Sequence, residues 1–199
     1  MNNRMKNKNL KKARIGLYCA GLQCYWDQFP GLEGRLLEYG DFIRQKMEEL
    51  GAQVHFVGMV EDEKAGALAG EFFNKENVDL IFVHSATYVT SASVLPVHQI
   101  CKVPVVILNL QPAARIHYEN TTTGEWLAHC GACPVPELSN AFHRAGIQCF
   151  FVNGLLGLSR TPEISMADEN TENRPEAIKA WTTIAEWILA AKVKRNLKG

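Results

Sequence analysis

The sequence lacks a long apolar run and an excess of charge of either sign. No stretch approaches the roughly 20 consecutive apolar residues that a membrane-spanning helix requires. The 199 residues include 21 basic and 21 acidic side chains, and this balance argues against binding to nucleic acid or a membrane surface through clustered positive charge. With 47% apolar residues, the chain has enough apolar side chains to bury a substantial core.

Phosphate-binding motifs are also missing. The sequence contains neither G-x-G-x-x-G nor G-x-x-x-x-G-K-[ST], the patterns with which a strand–turn–helix unit holds a dinucleotide or a nucleoside triphosphate. The bulky residues Leu22, Tyr25 and Trp26 stand where a flavodoxin has its small-residue phosphate loop. We therefore expect no nucleotide or flavin, and we predict that this chain binds no cofactor.

A secretory signal is missing as well. The basic residues near the start, such as Arg4 and Lys12, are not accompanied by the apolar core and small-residue cleavage site of a signal peptide. We expect residues 1–12 to form a flexible basic lead-in, residues 13–199 to form a single α/β domain, and the protein to be cytoplasmic. In that compartment the six cysteines are expected to be thiols.

Complete metal and acid–base motifs are absent too. Cys130 and Cys133 form a C-x-x-C pair, which is one half of a zinc site, but no second C-x-x-C and no H-x-x-x-H follows. We predict no metal site, favour a structural role for the two cysteines, and keep a redox dithiol as the alternative. The carboxylates do not pair at a spacing typical of acid–base catalysis, so no catalytic residue is predicted in this chain.

What the sequence does have is a regular alternation of strand and helix patterns. Strands are predicted over 14–20, 53–60, 79–86, 103–110 and 148–153, and helices over 31–51, 61–77, 91–102, 124–133, 137–145 and from Asn173 onward. Near-continuous apolar strands that alternate with helices predict a parallel sheet covered by helices on both faces. We predict a flavodoxin-like, doubly wound, five-stranded sheet in the order 2-1-3-4-5.

The last helix has an apolar pattern that predicts which face it buries. Apolar residues recur at steps of three and four, as expected of the buried stripe of an amphipathic helix. The predicted inward residues are Ile178, Trp181, Ala185, Ile188 and Ala191.

Polar and aromatic side chains follow the predicted strands at their carboxyl ends, where doubly wound folds bind their ligands. Amides, hydroxyls and an aromatic face suit a polyhydroxylated small molecule, because each polar group can pair with one hydroxyl. Ordinary loop polarity is the alternative. The predicted substrate-binding residues are Gln23, Tyr25 and Trp26 after the first strand, His84 and Tyr88 after the third, and Asn109 and Gln111 after the fourth.

Several segments resemble the amino-terminal domain of the L-fucose/L-arabinose isomerase family, particularly its isomerase-like members. They are RIGLYCAGLQCYWDQFPGLEGRL (14–36), HSATYVT (84–90), PVVILNLQP (104–112), TTGEWLAHCGACPVPELSNAFHRAGI (122–147) and LGLSRTPEISMADE (156–169). The resemblance implies that the chain corresponds to one domain of a three-domain enzyme of carbohydrate metabolism, which interconverts an aldose and a ketose.

The same resemblance implies a role in substrate recognition and assembly. The family's full-length enzymes use Mn²⁺ and two carboxylates of later domains, so the resemblance implies that this chain lacks the metal-binding catalytic half and is inactive alone. The implied partners are a small-molecule sugar, the carboxyl-terminal catalytic domains, and neighbouring subunits of a homo-oligomer. Gln23, Tyr25, Asn109 and Gln111 occupy the loops that match the sugar-contacting ones.

A second hypothesis is a free-standing sugar- or effector-binding α/β module without catalytic activity. The two hypotheses differ in the surface that they require, because a domain that packs on a partner should expose a contiguous apolar patch. Leu155, Leu156 and Leu158 are the candidates for that patch, together with Trp181 and Trp187.

Overall fold

A parallel five-stranded sheet forms the centre of the structure, a computed structural model that describes residues 10–160 and 170–197. The strands pair in the order β2-β1-β3-β4-β5. This arrangement confirms the predicted flavodoxin-like topology. The strands are β1 (Arg14–Ala20), β2 (Gln53–Val60), β3 (Leu80–Ser85), β4 (Val105–Gln111) and β5 (Cys149–Leu155).

Helices connect the strands and cover the sheet. Two short 3-10 turns, Gln23–Tyr25 and Cys130–Ala132, lie beyond its carboxyl edge. None of the helices in the described ranges combines the length and apolarity that a membrane crossing needs. The helices are α1 (Leu32–Glu49), α2 (Glu63–Lys75), α3 (Ser91–Ile100), α4 (Thr123–Leu127), α5 (Val135–Arg144) and α6 (Pro175–Leu197).

The core consists of two layers, one on each face of the sheet. Successive strand side chains point to opposite faces, so Leu17 of β1 packs with α1 and α6, whereas the neighbouring Tyr18 packs with α2, α3 and α5. The same division holds for β3, where Phe82 and Val83 belong to opposite layers. Both faces of the sheet are therefore covered by apolar side chains, as the apolar strands predicted. Polar side chains lie mainly at the ends of the strands.

The buried face of α6 differs from the prediction over the first part of the helix. Ile188 and Ala191 are buried as predicted, but Ile178 is 55% exposed, and Trp181 and Ala185 are only partly buried. The buried positions there are Ala177, Ala180 and Ile184. A Cβ on Gly154 of β5 would lie 2.5 Å from the carbonyl oxygen of Glu176. Since helix and strand approach so closely there, small residues occupy the contact.

The predicted apolar patch also lies elsewhere. Leu155 and Leu156 are buried in the core, whereas the large apolar side chains that α6 exposes are Ile178, Leu189, Val193 and Leu197. The patch prediction was therefore wrong for Leu155 and Leu156.

The predicted lead-in falls outside the described residues, apart from residues 10–12. Lys11 is tied to α6 by two hydrogen bonds, because its amide donates to Asn196 Oδ1 and Asn196 Nδ2 donates to its carbonyl, each at 2.9 Å.

Candidate functional site

A short turn that carries the C-x-x-C pair lies against the carboxyl end of β3. Ser85, the last residue of β3, donates a hydrogen bond from its hydroxyl to the carbonyl of Gly131 at 2.6 Å. Thr87 donates in the same way to the carbonyl of Leu127 at 2.8 Å. Because both hydroxyls are buried, the turn is fastened to the sheet edge where doubly wound folds place their ligands.

The contact between this turn and β3 requires glycine at position 131. A Cβ built on Gly131 would lie 2.2 Å from the carbonyl oxygen of Ser85 and 3.5 Å from Gln111 Nε2. No side chain fits at the first of these distances. The glycine between the two cysteines therefore lets the backbone of the turn touch the backbone of the sheet.

His129 fixes the turn from its other side. Its Nδ1–H donates to the carbonyl of Glu125 at 2.7 Å. Burial lowers the pKa of His129 from its usual range, so the imidazole is neutral at physiological pH. His129 thus anchors the segment that carries the thiols.

The two cysteines form a vicinal dithiol with one buried and one accessible sulfur. Cys130 is 3% exposed, whereas Cys133 is exposed. The Cys130 thiol donates to Cys133 Sγ, and the two sulfur atoms are 2.9 Å apart. Burial, and after it the hydrogen bond and the charge of Cys133, raise the pKa of Cys130 to about 12. At neutral pH Cys130 therefore keeps its proton.

Tyr25 lies beside this dithiol. Burial raises the pKa of the Tyr25 hydroxyl, and Cys24, Cys130, Tyr88 and Cys133 add to the shift through their negative charge when ionised. The Tyr25 hydroxyl is therefore within electrostatic reach of both sulfurs.

The Tyr25 ring is held in place by other aromatic rings. It packs edge-on against Trp26 and Phe29, with ring centroids 6.5 and 6.2 Å away. Trp26 is fixed in turn, because its Nε1 donates to a carboxylate oxygen of Glu61. The loop after β1 is therefore stiffened by aromatic contacts next to the thiols.

Glu137, in the first turn of α5, links the dithiol segment to α3. Its carboxylate accepts from the Ser91 amide at 2.7 Å and from the Tyr88 hydroxyl at 3.2 Å. The Ser91 backbone hydrogen bond lowers the pKa of Glu137 below its usual range. The ionised Glu137 thus holds Tyr88 in place at the edge of the site.

Amide side chains near the carboxyl ends of β4 and β5 bind one another. Gln111 Nε2 donates to Asn109 Oδ1 at 3.0 Å, and Asn109 Nδ2 donates to Asn153 Oδ1 at 2.9 Å. This chain of amides begins beside Gly131. It keeps several polar groups near the dithiol in fixed orientations.

The predicted substrate-binding residues divide into two groups. Tyr25, Tyr88 and Gln111 lie around the dithiol segment as described, and Gln23 is exposed on the adjacent 3-10 turn. His84, in contrast, is 2% exposed and its Nδ1 is 3.7 Å from Cys19 Sγ. Burial lowers its pKa to about 4. His84 is therefore a neutral core residue, and its burial argues against a contact with a ligand.

The residues that the sequence-based site prediction omitted are Cys130 and Cys133. Their signal was present in the C-x-x-C spacing, since residues three apart on a helical turn face the same side. The spacing alone could not show that one sulfur is exposed at the edge of the sheet. Within the two described ranges, no three His, Cys, Asp or Glu side chains come together as a metal site.

Comparisons with known proteins give no family for this chain. No family model and no curated protein sequence matches it. The solved structures with similar folds include a Bacteroides fragilis protein regarded as an acylhydrolase, with 11% identity, 92% of each chain covered and a TM-score of 0.43. A GDSL-like lipase from Bacteroides thetaiotaomicron has 12% identity over 89% of this chain and 88% of that chain, with a TM-score of 0.39. At such values neither structure informs the activity of this chain.

These comparisons contradict the resemblance to the L-fucose/L-arabinose isomerase family. No family model and no curated protein sequence supports that family. The family assignment and the sugar-isomerase function are therefore wrong. The role in carbohydrate metabolism and the manganese chemistry that they implied are wrong as well. The alternative of a sugar-binding module has no support. Apolar strands that are followed by polar loops are common to unrelated proteins of this fold, and this explains the similar residue patterns of the segments.

The predictions on partners and cofactors are not tested by the structure. Carboxyl-terminal domains, neighbouring subunits, a sugar ligand and the absence of a cofactor in this chain stay predictions.

Proposed function

We propose that this chain is a thiol–disulfide oxidoreductase in which Cys133 and Cys130 exchange two electrons with a disulfide. The observation that carries the proposal is the pair of sulfur atoms 2.9 Å apart, one exposed and one buried. An accessible sulfur can attack a substrate, and a buried neighbour can complete the exchange without meeting the solvent.

The proposed reaction begins at the exposed sulfur. The Cys133 thiolate attacks one sulfur of the substrate disulfide, forms a mixed disulfide and releases the other substrate sulfur as a thiolate. The Cys130 sulfur, after losing its proton, then attacks Cys133 Sγ and releases the second substrate thiolate. The substrate gains two electrons and takes up the two protons that the cysteines lose, and the chain is left with a Cys130–Cys133 disulfide.

The surroundings of the dithiol suit both steps. The first turn of α5 begins at Val135, so the positive end of its dipole lies beside Cys133, where it favours developing negative charge. Cys130 keeps its proton until the mixed disulfide has formed on Cys133, because its pKa is about 12.

Substrate contacts are assigned to the residues that surround the dithiol. We assign substrate contacts to Gln23, Tyr25, Trp26, Tyr88 and Gln111, whose amides and aromatic rings lie at the carboxyl edge of the sheet. The proposal departs from our sequence-based prediction that this chain carries no catalytic residue.

A cytoplasmic location is part of the proposal. All six cysteines are free, and that compartment keeps thiols reduced. The dithiol would there act in its reduced form.

The test is the reaction of the purified chain with an aromatic disulfide such as 5,5′-dithiobis(2-nitrobenzoate). Every protein carries Cys24→Ser, because Cys24 is also exposed. We expect a rapid release of two thiolates per reacting dithiol, loss of the rapid phase in Cys133→Ser, and accumulation of the mixed disulfide on Cys133 in Cys130→Ser, as seen by mass spectrometry.

Cys149→Ser is the matched control, since Cys149 lies at the opposite end of the sheet. This variant should react as the parent does. A Cys133→Ser variant that keeps the rapid phase would refute the proposal.

A further inference from the structure

The carboxyl-terminal half of α6 exposes a stripe of apolar side chains. Leu189, Val193 and Leu197 are each half exposed or more. They recur every four residues, so they lie on one face of the helix, and they line one open groove together with Ala190. A contiguous exposed apolar patch marks a site that meets another protein or a membrane.

Lysines border this apolar stripe on both sides. Lys192 and Lys194 stand immediately before and after Val193, and at 3.6 residues per turn each lies about 100° from it around the helix. Lys194 lines the apolar groove and also a neighbouring cavity that includes Lys11. The Lys11 backbone is itself held to α6 by Asn196. The positive charge therefore continues from α6 onto the segment before β1.

The charge at this edge of the molecule departs from the balance of the whole chain. Residues 1–14 include six basic and no acidic side chains, and residues 187–199 include four basic and no acidic ones. The described parts of these two segments meet through the hydrogen bonds of Lys11. Arg14 and Arg195 pair with carboxylates of neighbouring segments, so the lysines carry the excess positive charge. Lysine clusters on an amphipathic helix are typical of proteins that bind anionic phospholipids.

Lysines beside an aliphatic stripe favour a membrane surface over the other partners of a basic or apolar face. Nucleic acid pairs with lysines, but its bases stack on aromatic rings, and the exposed side chains of the stripe are aliphatic. A stable dimer buries about 800 Å² on each partner, of which three aliphatic side chains supply only a fraction. An anionic bilayer takes up both features, because apolar side chains enter the acyl boundary while ammonium groups stay beside the lipid phosphates.

We propose that α6 docks this protein on the surface of a bilayer that contains anionic phospholipid. The apolar stripe enters the interface between headgroups and acyl chains, and the lysines beside it pair with lipid phosphates. The stripe ends near the amino-terminal edge of the sheet, where Arg195 pairs with Asp79 in front of β3. Docking therefore leaves the dithiol at the carboxyl edge accessible. The proposal departs from the expectation, based on the overall charge balance, that the chain does not bind a membrane surface.

Co-sedimentation of the full chain with lipid vesicles tests the proposal. The vesicles consist of phosphatidylcholine alone, or of phosphatidylcholine with about 30% phosphatidylserine to supply the negative surface potential. We expect saturable binding to the anionic vesicles and at least about tenfold weaker binding to the neutral ones. Binding to the anionic vesicles should also weaken in about 0.5 M salt, because salt screens the attraction of the lysines.

Substitutions on the surface of α6 separate the two parts of the docking face. Lys192→Gln combined with Lys194→Gln removes two charges and should weaken binding to anionic vesicles at least about tenfold. Leu189→Gln keeps the charge and should weaken binding about fivefold, because it removes apolar surface from the interface. The matched controls are Lys64→Gln and Leu68→Gln, which change an exposed lysine and an exposed leucine of α2; both should bind as the parent chain does.

The proposal is overturned if the parent chain does not bind the anionic vesicles or if the double lysine variant binds them equally well. Unchanged binding by Leu189→Gln would also overturn it, since the lysines alone would then account for the attraction. Tighter binding to a single-stranded oligonucleotide than to the anionic vesicles would assign the surface to nucleic acid instead. A dimer in sedimentation velocity that Leu189→Gln dissociates, without vesicle binding, would assign it to a second copy of the chain.

Discussion

Gly131 is the residue on which the geometry of the proposed dithiol depends most. Since its Cβ would lie 2.2 Å from the Ser85 carbonyl oxygen, Gly131→Ala should push the turn away from β3 and separate Cys133 from its surroundings. We expect a loss of about 1–3 kcal/mol in the free energy of unfolding, the usual cost of overpacking, and a slower reaction with the aromatic disulfide. Urea unfolding and stopped-flow kinetics measure the two effects.

The control for this change is Gly34→Ala in α1. Nothing lies within 4 Å of a Cβ at Gly34, so alanine there should stabilise the helix by up to about 1 kcal/mol and leave the thiol reaction unchanged. Equal thiol kinetics in Gly131→Ala and the parent chain would show that the contact with Ser85 does not position the dithiol.

The buried histidines should make stability depend on pH. His84 and His98 have pKa values lowered by burial to about 4 and about 3, from 6.5. Below pH 6.5 the unfolded chain binds protons that the folded chain does not bind. The contribution to the free energy of unfolding that is present above pH 6.5 is therefore lost as the pH falls towards 4. We expect the free energy of unfolding to fall by about 1.4 kcal/mol per pH unit for each histidine.

Urea titrations between pH 7 and pH 5 check this dependence. His84→Gln removes one of the buried titrating groups and should lower the slope, whereas the exposed His143→Gln should leave it as in the parent chain. A stability that does not change across this pH range would contradict the assigned burial of both imidazoles.

Among the elements, α2 and α3 are in close contact and offer a clear test of packing. A Cβ on Gly66 of α2 would lie 2.2 Å from the carbonyl oxygen of Ser93 in α3. Gly66→Ala should therefore force the helices apart and destabilise the fold by about 1–3 kcal/mol, although alanine favours the helix itself. A stability equal to that of the parent chain in urea unfolding would mean that the helices are farther apart than described.

The boundaries and faces of the elements show what the sequence could predict. The bounds of β1 and β2 agree with the prediction, because apolar residues and glycines mark them directly. The start of α5 was placed too late, since Pro136 was taken as an interruption although proline is tolerated in the first turn of a helix. Ile178 was placed inward because it fits the spacing of the apolar residues, whereas the close approach to Gly154 selects small residues.

At the scale of the whole molecule, alternation of strands and helices was sufficient for the sheet order but not for the function. The carboxyl edge was predicted as the working surface, and the assignment of Tyr25 and Tyr88 to substrate contacts there stays a prediction. The hydroxyls of Ser85 and Thr87 donate to the carbonyls of Gly131 and Leu127. These hydrogen bonds join segments that are distant in the sequence, and no local pattern contains them. The residue patterns that suggested a sugar isomerase are typical of the fold and do not indicate an activity.

The most direct measurement of the central proposal is a redox titration of the full chain, followed by disulfide mapping with differential alkylation and mass spectrometry. Equilibration with reduced and oxidised dithiothreitol should produce one reversible disulfide between Cys130 and Cys133, with Cys19, Cys101 and Cys149 still alkylated as free thiols. Failure of Cys130 and Cys133 to join, or equal oxidation of the other cysteines, would contradict the assignment of a redox dithiol to this fold.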